Sequence, residues 1–278
     1  MAITNFIPEI WNAQMLENFH QNVIAAGLVN RQYEGDATSG NTVHITGLVD
    51  IAVTDYKAAG RITSAGAVTD TQVDLLIDQE KAFDFFIDDI DRAQAAGSME
   101  AYTRSAAYGL AADADKFILS NAVTNAGSTV TGDGAATPAA LDTPEEFFNV
   151  VRDLRKTLNK NLVPQGNRVL VVNAEFEAML LSSAAKLTNA DVSGTTEGLR
   201  NATLGNLLGF TVYTSEHLPV TDKAQVLAFY QPAIAYVSQI EKTEALRSQD
   251  KFADRLRGLH VYGGKVVRPT GVSVWTNA

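Results

Sequence analysis

The chain has no cysteine among its 278 residues. Disulfide bonds and cysteine-ligated metals are therefore excluded, and stability must come from packing, hydrogen bonds and assembly. No apolar run approaches the roughly 20 residues that cross a bilayer, and the N-terminus has no basic segment followed by an apolar one. We therefore expect a protein that is made in the cytoplasm, is not secreted by the general route and does not enter a membrane.

Basic residues are scarce as well. Lysine and arginine number 22 against 32 aspartates and glutamates, which gives a formal net charge of -10. This balance disfavours a surface that grips phosphate backbones, since such binding depends on clustered cations. An acidic protein can still enclose DNA without adhering to it. With 46% hydrophobic residues, the chain can bury a substantial core in one large domain or two smaller ones.

Motifs that carry chemistry are missing. The four histidines have no paired spacing that would place two of them on one helix face as metal ligands. Asp88, Asp89 and Asp91 lack the alternating carboxylates, the glycine and the distant glutamate of a calcium loop. The Gly-Gly-Lys run at residues 263–265 lacks the first glycine of a phosphate-binding loop and a following helix, so it predicts a tight turn between strands. We expect no metal, no cofactor and no catalytic residue, while carboxylate pairs that are distant in sequence remain open.

A long helix is predicted at residues 99–121. Ser98 can cap its first turn, and Glu100 lies favourably at its positive end. Such a helix measures roughly 35 Å, enough to cross a domain. Its apolar stripe consists of Met99, Tyr102, Ala106, Leu110, Ala114, Phe117 and Ile118. Its polar face carries Arg104, Asp113, Asp115 and Lys116.

Two stretches, at residues 43–53 and 71–87, alternate apolar and polar residues with a period of two. This pattern predicts two half-buried strands, joined by a turn rich in Gly and Ala at residues 56–69. The arms of such a hairpin reach roughly 30 Å, and an isolated two-stranded ribbon is marginally stable in water. We therefore expect this hairpin to lie on its own core or on another molecule.

An amphipathic helix is predicted at residues 8–26, where Trp11, Met15, Phe19 and Val23 recur every four residues and Gly27 can close the end. Its aromatic stripe needs a partner. The sequence leaves open whether that partner is the chain's own domain or a neighbouring subunit.

A capping box opens the second half of the chain. Thr143 is followed by Pro144 at the first helical position and by Glu146 three residues on. The predicted helix ends near Asn159, and a strand at residues 168–172 and a helix capped by Asn173 complete an α/β layer. Further strands are predicted at residues 210–214, 226–230, 233–238, 255–261 and 272–276. The dense charges at residues 239–254 suit a strand edge or a solvated helix.

Four runs, together with this order of elements, carry a resemblance to a known family. They are the Phe-rich strand entering a row of aspartates at residues 81–94, the strand and capped helix at 169–176, the Gly-led strand at 208–212, and Val-Arg-Pro-Thr-Gly at 267–271. They resemble the major capsid proteins of tailed double-stranded DNA bacteriophages, of the Hong Kong 97 type. The resemblance covers nearly the whole chain.

The resemblance implies an α+β fold in five parts. These are an N-terminal arm at residues 1–32, an extended β-hairpin loop at 33–86, a peripheral domain with the spine helix at 87–140, an axial domain at 141–225, and return strands, mainly peripheral, at 226–278. It implies a structural, non-enzymatic protein whose hexamers and pentamers form the icosahedral head around the phage genome. The contacts between subunits expected on this basis are Trp11, Phe19, Lys57, Arg61 and Ile62.

The resemblance also implies partners and a location. A separate scaffolding protein and a portal are expected, with assembly in the cytoplasm of the bacterial host and a final place in the virion, and the presence of decoration proteins is left open. Some family members join subunits through a Lys–Asn isopeptide bond that a Glu assists. Lys57 and Lys81 lie in or near the extended loop, but neither the Asn nor the Glu is matched here, so no crosslink is expected.

Two other hypotheses remain. A shell protein of a bacterial nanocompartment, of the encapsulin type, shares the fold but houses enzyme cargo. A soluble α/β enzyme or ligand-binding protein would stay monomeric or a small oligomer and contain a deep polar pocket.

Overall fold

The computed structural model describes residues 23–35, 40–48, 53, 55–58, 60–62, 70–88, 100–131, 141, 143–181, 205–248 and 251–278. The helices are Ala25–Leu28, Glu100–Thr124 (the spine helix), Pro144–Lys160 (the capping-box helix) and Ala174–Leu180, with short 3₁₀ turns at Gln32–Gly35, Gln231–Ala233 and Pro269–Gly271. The strands are β1 Thr42–Leu48, β2 Asp70–Leu76, β3 Gln79–Asp88, β4 Ser128–Thr129, β5 Arg168–Val172, β6 Asn206–Leu207, β7 Phe210–Thr214, β8 Gln225–Tyr230, β9 Ile234–Arg247, β10 Ala253–Val266 and β11 Val272–Thr276.

A six-stranded sheet, in the order β4-β11-β8-β5-β7-β6, holds the densest core. Its strand β5 is buried at every residue, because helices cover both faces of the sheet. Val169 and Val171 lie in an apolar cluster with the spine helix. Leu170 and Val172 face the other way, into a cluster with the capping-box helix. Alternate residues of β5 thus pack into two different apolar clusters, one on each face of the sheet.

Local signals start both helices on this second face. The Glu146 carboxylate accepts a hydrogen bond from the Thr143 N–H at 3.0 Å, and the capping box is complete. The Asn173 side chain accepts from the Phe176 N–H at 3.1 Å. Both predicted caps are therefore confirmed. The strands predicted at residues 168–172, 210–214 and 272–276 have the observed bounds.

A three-stranded antiparallel sheet, in the order β3-β10-β9, carries the hairpin of β1 and β2. The two hairpin strands pair antiparallel, with Val43 opposite Leu75, as the alternation predicts. Their buried residues Val43, Ile45 and Leu75 share a cluster with Val237 and Val261 of the sheet. The base of the hairpin therefore lies on the chain's own core.

The single strand predicted at residues 71–87 is wrong. β2 ends at Leu76, and β3 starts at Gln79 and pairs with β10 instead of β1. The hairpin crosses β10 at Gly263, where a Cβ would overlap the carbonyl oxygen of Leu76. Exposure continues to alternate along β3. Because one period-two pattern runs through both strands, the sequence does not reveal that the partner changes.

Of two further predictions about β9 and β10, one is wrong and one agrees with the structure. The tight turn predicted at residues 263–265 is wrong, because these residues lie inside β10. Gly263 has no side chain, and this allows the backbone of the hairpin to cross that of β10 closely. The charge-dense residues 239–254 are the adjoining parts of β9 and β10, as far as they are described.

The spine helix is confirmed, although its buried face differs from the predicted one. The buried residues are Ala112, Ala114, Asp115, Ile118, Leu119 and Ala122. Tyr102, which was predicted on the apolar stripe, is 52% exposed. Asp115, which was predicted on the polar face, is fully buried. A buried carboxylate is tolerated only when partners satisfy it, and residues distant in sequence supply those partners here.

The ends of the chain bear on the remaining predictions. Most of the N-terminal helix predicted at residues 8–26, with Trp11 and Phe19, lies outside the described residues, as does Met99. The described end of that prediction is wrong, because Val23 and Ile24 are not helical and Gly27 lies inside the short helix Ala25–Leu28 instead of ending the predicted one. The strands predicted after residue 226 divide between the two sheets. In the six-stranded sheet β8 lies between β11 and β5, whereas β9 and β10 form the three-stranded sheet with β3. Within the described residues, no helix is both long and apolar enough to span a membrane.

Candidate assembly surfaces

The first exposed surface is the hairpin tip, which consists of the described residues 53, 55–58 and 60–62. Asp55 shapes it, because its carboxylate accepts a hydrogen bond from the Lys57 N–H at 2.9 Å. The chain turns at Arg61, whose φ is 60°. The Arg61 N–H donates to the Tyr56 carbonyl at 2.8 Å. The tip therefore has a defined turn of its own.

The side chains of the hairpin tip point away from the core. Val53 is 97% exposed, Ile62 75% and Tyr56 53%. Lys57 and Arg61 are exposed as well. The predicted contact residues Lys57, Arg61 and Ile62 thus lie on one turn. Burying this apolar surface against a partner would contribute about 25 cal/mol per Å².

A second apolar surface, here named the sheet end, consists of Phe86 on β3, Leu246 on β9 and Phe252 just before β10. These side chains are 52%, 43% and 81% exposed, respectively. Phe86 and Leu246 both lie opposite Arg255 of the central strand, which aligns them in one row across the sheet. The Arg255 guanidinium lies 5.4 Å from the Phe86 ring centroid and the Lys251 ammonium 6.0 Å from it. The sheet end therefore combines aromatic surface with cations, a combination that favours protein contacts.

Ion pairs hold the three strands together next to this row. Arg255 forms a bidentate pair with the Asp84 carboxylate, and Arg257 donates to Glu244 at 2.5 Å. The hydrogen bond from Arg255 lowers the pKa of Asp84. The hydrogen bond from Arg257 likewise lowers the pKa of Glu244. Both carboxylates are thus held in the charged form.

A cavity of about 360 Å³ lies between the first half of the spine helix and the three-stranded sheet. Phe83, Leu110, Leu256 and Leu259 line it, with Arg104 and His260 among the polar residues. No residue of the helix described between positions 102 and 111 is buried. This half of the spine helix therefore has little core beneath it, unlike its second half.

Lys81, one of the two lysines considered for a crosslink, lies beside the spine helix. Its ammonium is 3.6 Å from a carboxylate oxygen of Asp113. The same oxygen accepts a hydrogen bond from the Tyr262 hydroxyl at 2.6 Å. Burial, and after it the hydrogen bond to Asp113, raises the pKa of Tyr262. Lys81 thus has a local partner, and the absence of a crosslink stays a prediction.

The sequence did not reveal the sheet end. A signal was available at Phe86, which, like Leu76, is a large apolar residue at the mostly polar even positions between residues 72 and 88. Phe252 and Leu246 were hidden because they lie among dense charges. Of the predicted contact residues, the structure describes Lys57, Arg61 and Ile62 and does not describe Trp11 and Phe19. The described part of the chain contains no group of three or more His, Cys, Asp or Glu residues that could hold a metal ion.

Comparisons with known proteins agree on one family. The model of a family described as phage capsid protein matches residues 71–275. A solved structure from Mycobacterium phage Che8 is 54% identical in sequence, with a TM-score of 0.90 over 99% of this chain and 98% of that chain. No curated protein matches.

More distant structures share the fold. The capsid structure of the Cyanophage P-SCSP1u has a TM-score of 0.83 at 17% identity, over 100% of this chain and 95% of that chain. A virus-like particle from Pyrococcus furiosus has a TM-score of 0.55 at 14% identity, over 85% of this chain and 86% of that chain. The nanocompartment and enzyme hypotheses are therefore not favoured over the phage capsid.

These results confirm the Hong Kong 97-type α+β fold that the order of elements predicts. The exposed hairpin tip and sheet end are features that a shell subunit can use. The chain belongs to the phage capsid protein family, as a major capsid protein that forms the icosahedral capsid of a bacteriophage virion.

Proposed function

We propose that the protein assembles as hexamers and pentamers into the head that encloses the double-stranded DNA of a tailed phage. Its proposed parts are the arm at residues 1–32, the extended loop at 33–86, the peripheral domain at 87–140, the axial domain at 141–225 and the return strands at 226–278. In the proposed shell, the axial domains meet at the symmetry axis of each capsomer. The role is structural, and we propose no catalytic function.

The contrast between the two ends of the hairpin carries this proposal. At the base, Val43, Ile45 and Leu75 are at most 8% exposed. At the tip, Val53 and Ile62 are at least 75% exposed. A hairpin needs a surface to lie on if it is to be stable over its whole length. Among the described residues, the chain supplies that surface for the base and not for the tip, so we propose that a neighbouring subunit supplies it for the tip.

The sheet end supports a second contact between subunits. Phe86, Leu246 and Phe252 belong to separate strands or turns of one sheet, and they expose apolar surface beside two cations. Aromatic residues and arginine are enriched at the centre of protein interfaces. We propose that this surface meets another subunit of the shell.

The remaining proposed partners follow from charge and from the arm. With a net charge of -10, the shell would enclose DNA without binding it tightly or by sequence. The N-terminal arm, through Trp11 and Phe19, would bind neighbouring subunits. A separate scaffolding protein, a portal and decoration proteins complete the proposed set, and assembly takes place in the cytoplasm of the bacterial host.

Deleting residues 57–67 tests the role of the hairpin tip. The base of the hairpin and both sheets lie outside the deletion, so we expect unchanged circular dichroism and unchanged thermal unfolding of the subunit. We expect electron microscopy and sedimentation to detect rings or free subunits in place of closed shells. Normal shells from the deletion variant would contradict the proposal.

A matched pair of point variants sharpens this test. Ile62→Asp places a charge on the hairpin tip, and Leu162→Asp places one on a residue that is 90% exposed in the turn after the capping-box helix. We expect both subunits to fold and Ile62→Asp alone to block shell formation. Equal assembly of the two variants would show that the hairpin tip has no special role.

A further inference from the structure

Asp115 is a buried carboxylate on the spine helix that joins three distant parts of the chain. One carboxylate oxygen accepts hydrogen bonds from the backbone N–H groups of Ile24, at 3.0 Å, and Ala25, at 2.5 Å. The other oxygen lies 2.8 Å from Nδ1 of His217, in the loop after β7. Asp115 is 0% exposed and His217 8%. The carboxylate is thus satisfied on both sides.

The two N–H groups belong to the start of the short helix Ala25–Leu28. The first N–H groups of any helix lack partners within it. Ile24, at the N-cap position, makes no side-chain capping bond. Asp115 therefore caps this helix from another element, and the negative carboxylate is placed favourably against the positive helix end.

A second set of contacts holds the same segment further along. The Asn30 N–H donates to the Ile234 carbonyl, and the Tyr236 N–H donates to the Asn30 carbonyl, both at 2.9 Å. The Glu34 carboxylate accepts from the Ser238 N–H at 3.3 Å. This places residues 30–34 along the edge of β9. Residues 24–34 are therefore fixed at both ends, and Asp115 holds two of the first described residues of the N-terminal arm.

We propose that Asp115 is a positioning residue that sets where the part of the N-terminal arm before Ile24 leaves the subunit. Because the carboxylate holds the N–H groups of Ile24 and Ala25, it fixes the point from which the preceding part of the arm starts. His217 holds the carboxylate in turn. Asp115 thereby governs how subunits interlock without contacting a neighbour itself, an inference that rests on the proposed role of the arm.

Amide hydrogen exchange tests the anchor directly, in the unassembled wild-type chain. We expect the amides of Ile24 and Ala25 to be protected in the wild-type protein. In Asp115→Ala, they should exchange about tenfold faster or more, since bonds to a charged acceptor are lost. The amides of β5 should keep their protection. Unprotected Ile24 and Ala25 amides in the wild type would overturn the proposal, even if the variant failed to fold.

A matched set of variants separates positioning from general stability. Asp115→Asn keeps a carbonyl oxygen for the two N–H groups, so we expect it to restore both protection and shell formation. Asp113→Ala removes the neighbouring carboxylate, which binds Tyr262 instead. It should leave the Ile24 and Ala25 amides protected. Shell formation by Asp115→Ala at the wild-type level would overturn the proposal.

Deleting residues 1–22 distinguishes this inference from the proposed role of the arm. If the truncated chain forms normal shells, the arm has no role in assembly and the proposed function fails at that point, whatever the exchange data show. If truncation lowers the yield of shells, adding Asp115→Ala to the truncated chain should not lower the yield of shells, rings or smaller oligomers any further. An additional defect would mean that Asp115 acts on assembly by a route other than the arm, which would overturn the inference.

Discussion

The two sheets of this protein differ in how they treat apolar residues. In the six-stranded sheet, β5 is buried throughout and β8 is buried at all residues except its last. In the three-stranded sheet, exposure alternates along β3, and Phe252 next to β10 is 81% exposed. The first sheet completes its core within one chain. The second leaves apolar surface exposed at Phe86, Leu246 and Phe252.

The reason for the difference is the number of layers. The six-stranded sheet lies between the spine helix and the capping-box helix, so both faces are covered. The three-stranded sheet is covered on both faces only at one end, by the second half of the spine helix and by the base of the hairpin. At its other end a cavity of about 360 Å³ separates it from the first half of the spine helix. Ion pairs such as Asp84–Arg255 stabilise the strands from the exposed side. The fold thus combines a six-stranded sheet with a closed core and a three-stranded sheet with exposed apolar residues at one end.

A matched pair of phenylalanines tests this comparison with the largest expected effect. Phe176 is fully buried, and its ring centroid is 5.3 Å from that of Phe147 and 5.7 Å from that of Trp275. Phe176→Ala should lower the free energy of unfolding by about 3–5 kcal/mol, because it leaves a cavity in this cluster. Phe252→Ala should change it by less than about 0.5 kcal/mol. Urea unfolding of the unassembled subunit measures both.

Assembly of the folded subunit tests the same comparison at the sheet end. Phe252→Ala should fold normally and yield fewer closed shells, because it removes apolar area from the sheet end. If Phe252→Ala instead destabilised the subunit as much as Phe176→Ala, the three-stranded sheet would have a closed core and the comparison would be wrong.

Sequence patterns predicted the six-stranded sheet and its helices well, because the signals for these elements are local. The capping box at Thr143, the cap at Asn173 and the strands at residues 168–172 and 210–214 depend on neighbours a few positions away. The alternation of the hairpin and the length of the spine helix are also local properties. These features, taken in order, were sufficient to identify the fold.

The rest depended on contacts between residues that are far apart in the chain. The pattern at residues 71–87 does not specify which strand it pairs with, and the partner changes after Leu76. Asp115 looks like a solvent-facing residue until Ile24, Ala25 and His217 are placed around it. Phe252 is one aromatic residue among charges, and its exposure follows from the end of a long hairpin. Single-sequence periodicity contains none of this information.

Gly263→Ala tests whether the three-stranded sheet is tightly packed where the hairpin crosses β10. A Cβ at this position would overlap the backbone of Leu76 and Ile77, which cannot rotate aside as a side chain can. We expect the variant to lose about 1–3 kcal/mol of stability, measured by urea unfolding, and the hairpin to detach from β10. Gly264→Ala is the matched control, because its nearest neighbour is a side-chain atom of Phe117 at 3.3 Å. Equal losses in the two variants would contradict this account of the crossing.

Gly109→Ala sharpens the comparison on the spine helix. Gly109 lies in the half that has little core beneath it, and a Cβ there would meet nothing within 4 Å. Alanine favours a helix interior over glycine by about 0.8–1.0 kcal/mol, so the variant should be more stable by about that amount. Thermal unfolding of the subunit measures the change. A destabilised variant would indicate that this half of the helix is tightly packed after all.

The smallest effect concerns the exposed ion pair of Asp84 and Arg255. Arg255 lowers the pKa of Asp84 in the folded state, so the pair stabilises the subunit above the ordinary aspartate pKa and loses that contribution as the pH falls through the lowered value. Asp84→Asn should therefore be less stable than wild type at pH 7, by an amount that shrinks in acid and at high salt. On an Arg255→Gln background, Asp84→Asn should have no such pH-dependent effect. Urea unfolding of the four proteins across this pH range measures the coupling, and a wild-type advantage that grows in acid would reverse the assignment. Because the pair is exposed, its contribution should remain smaller than that of any buried residue of the six-stranded sheet.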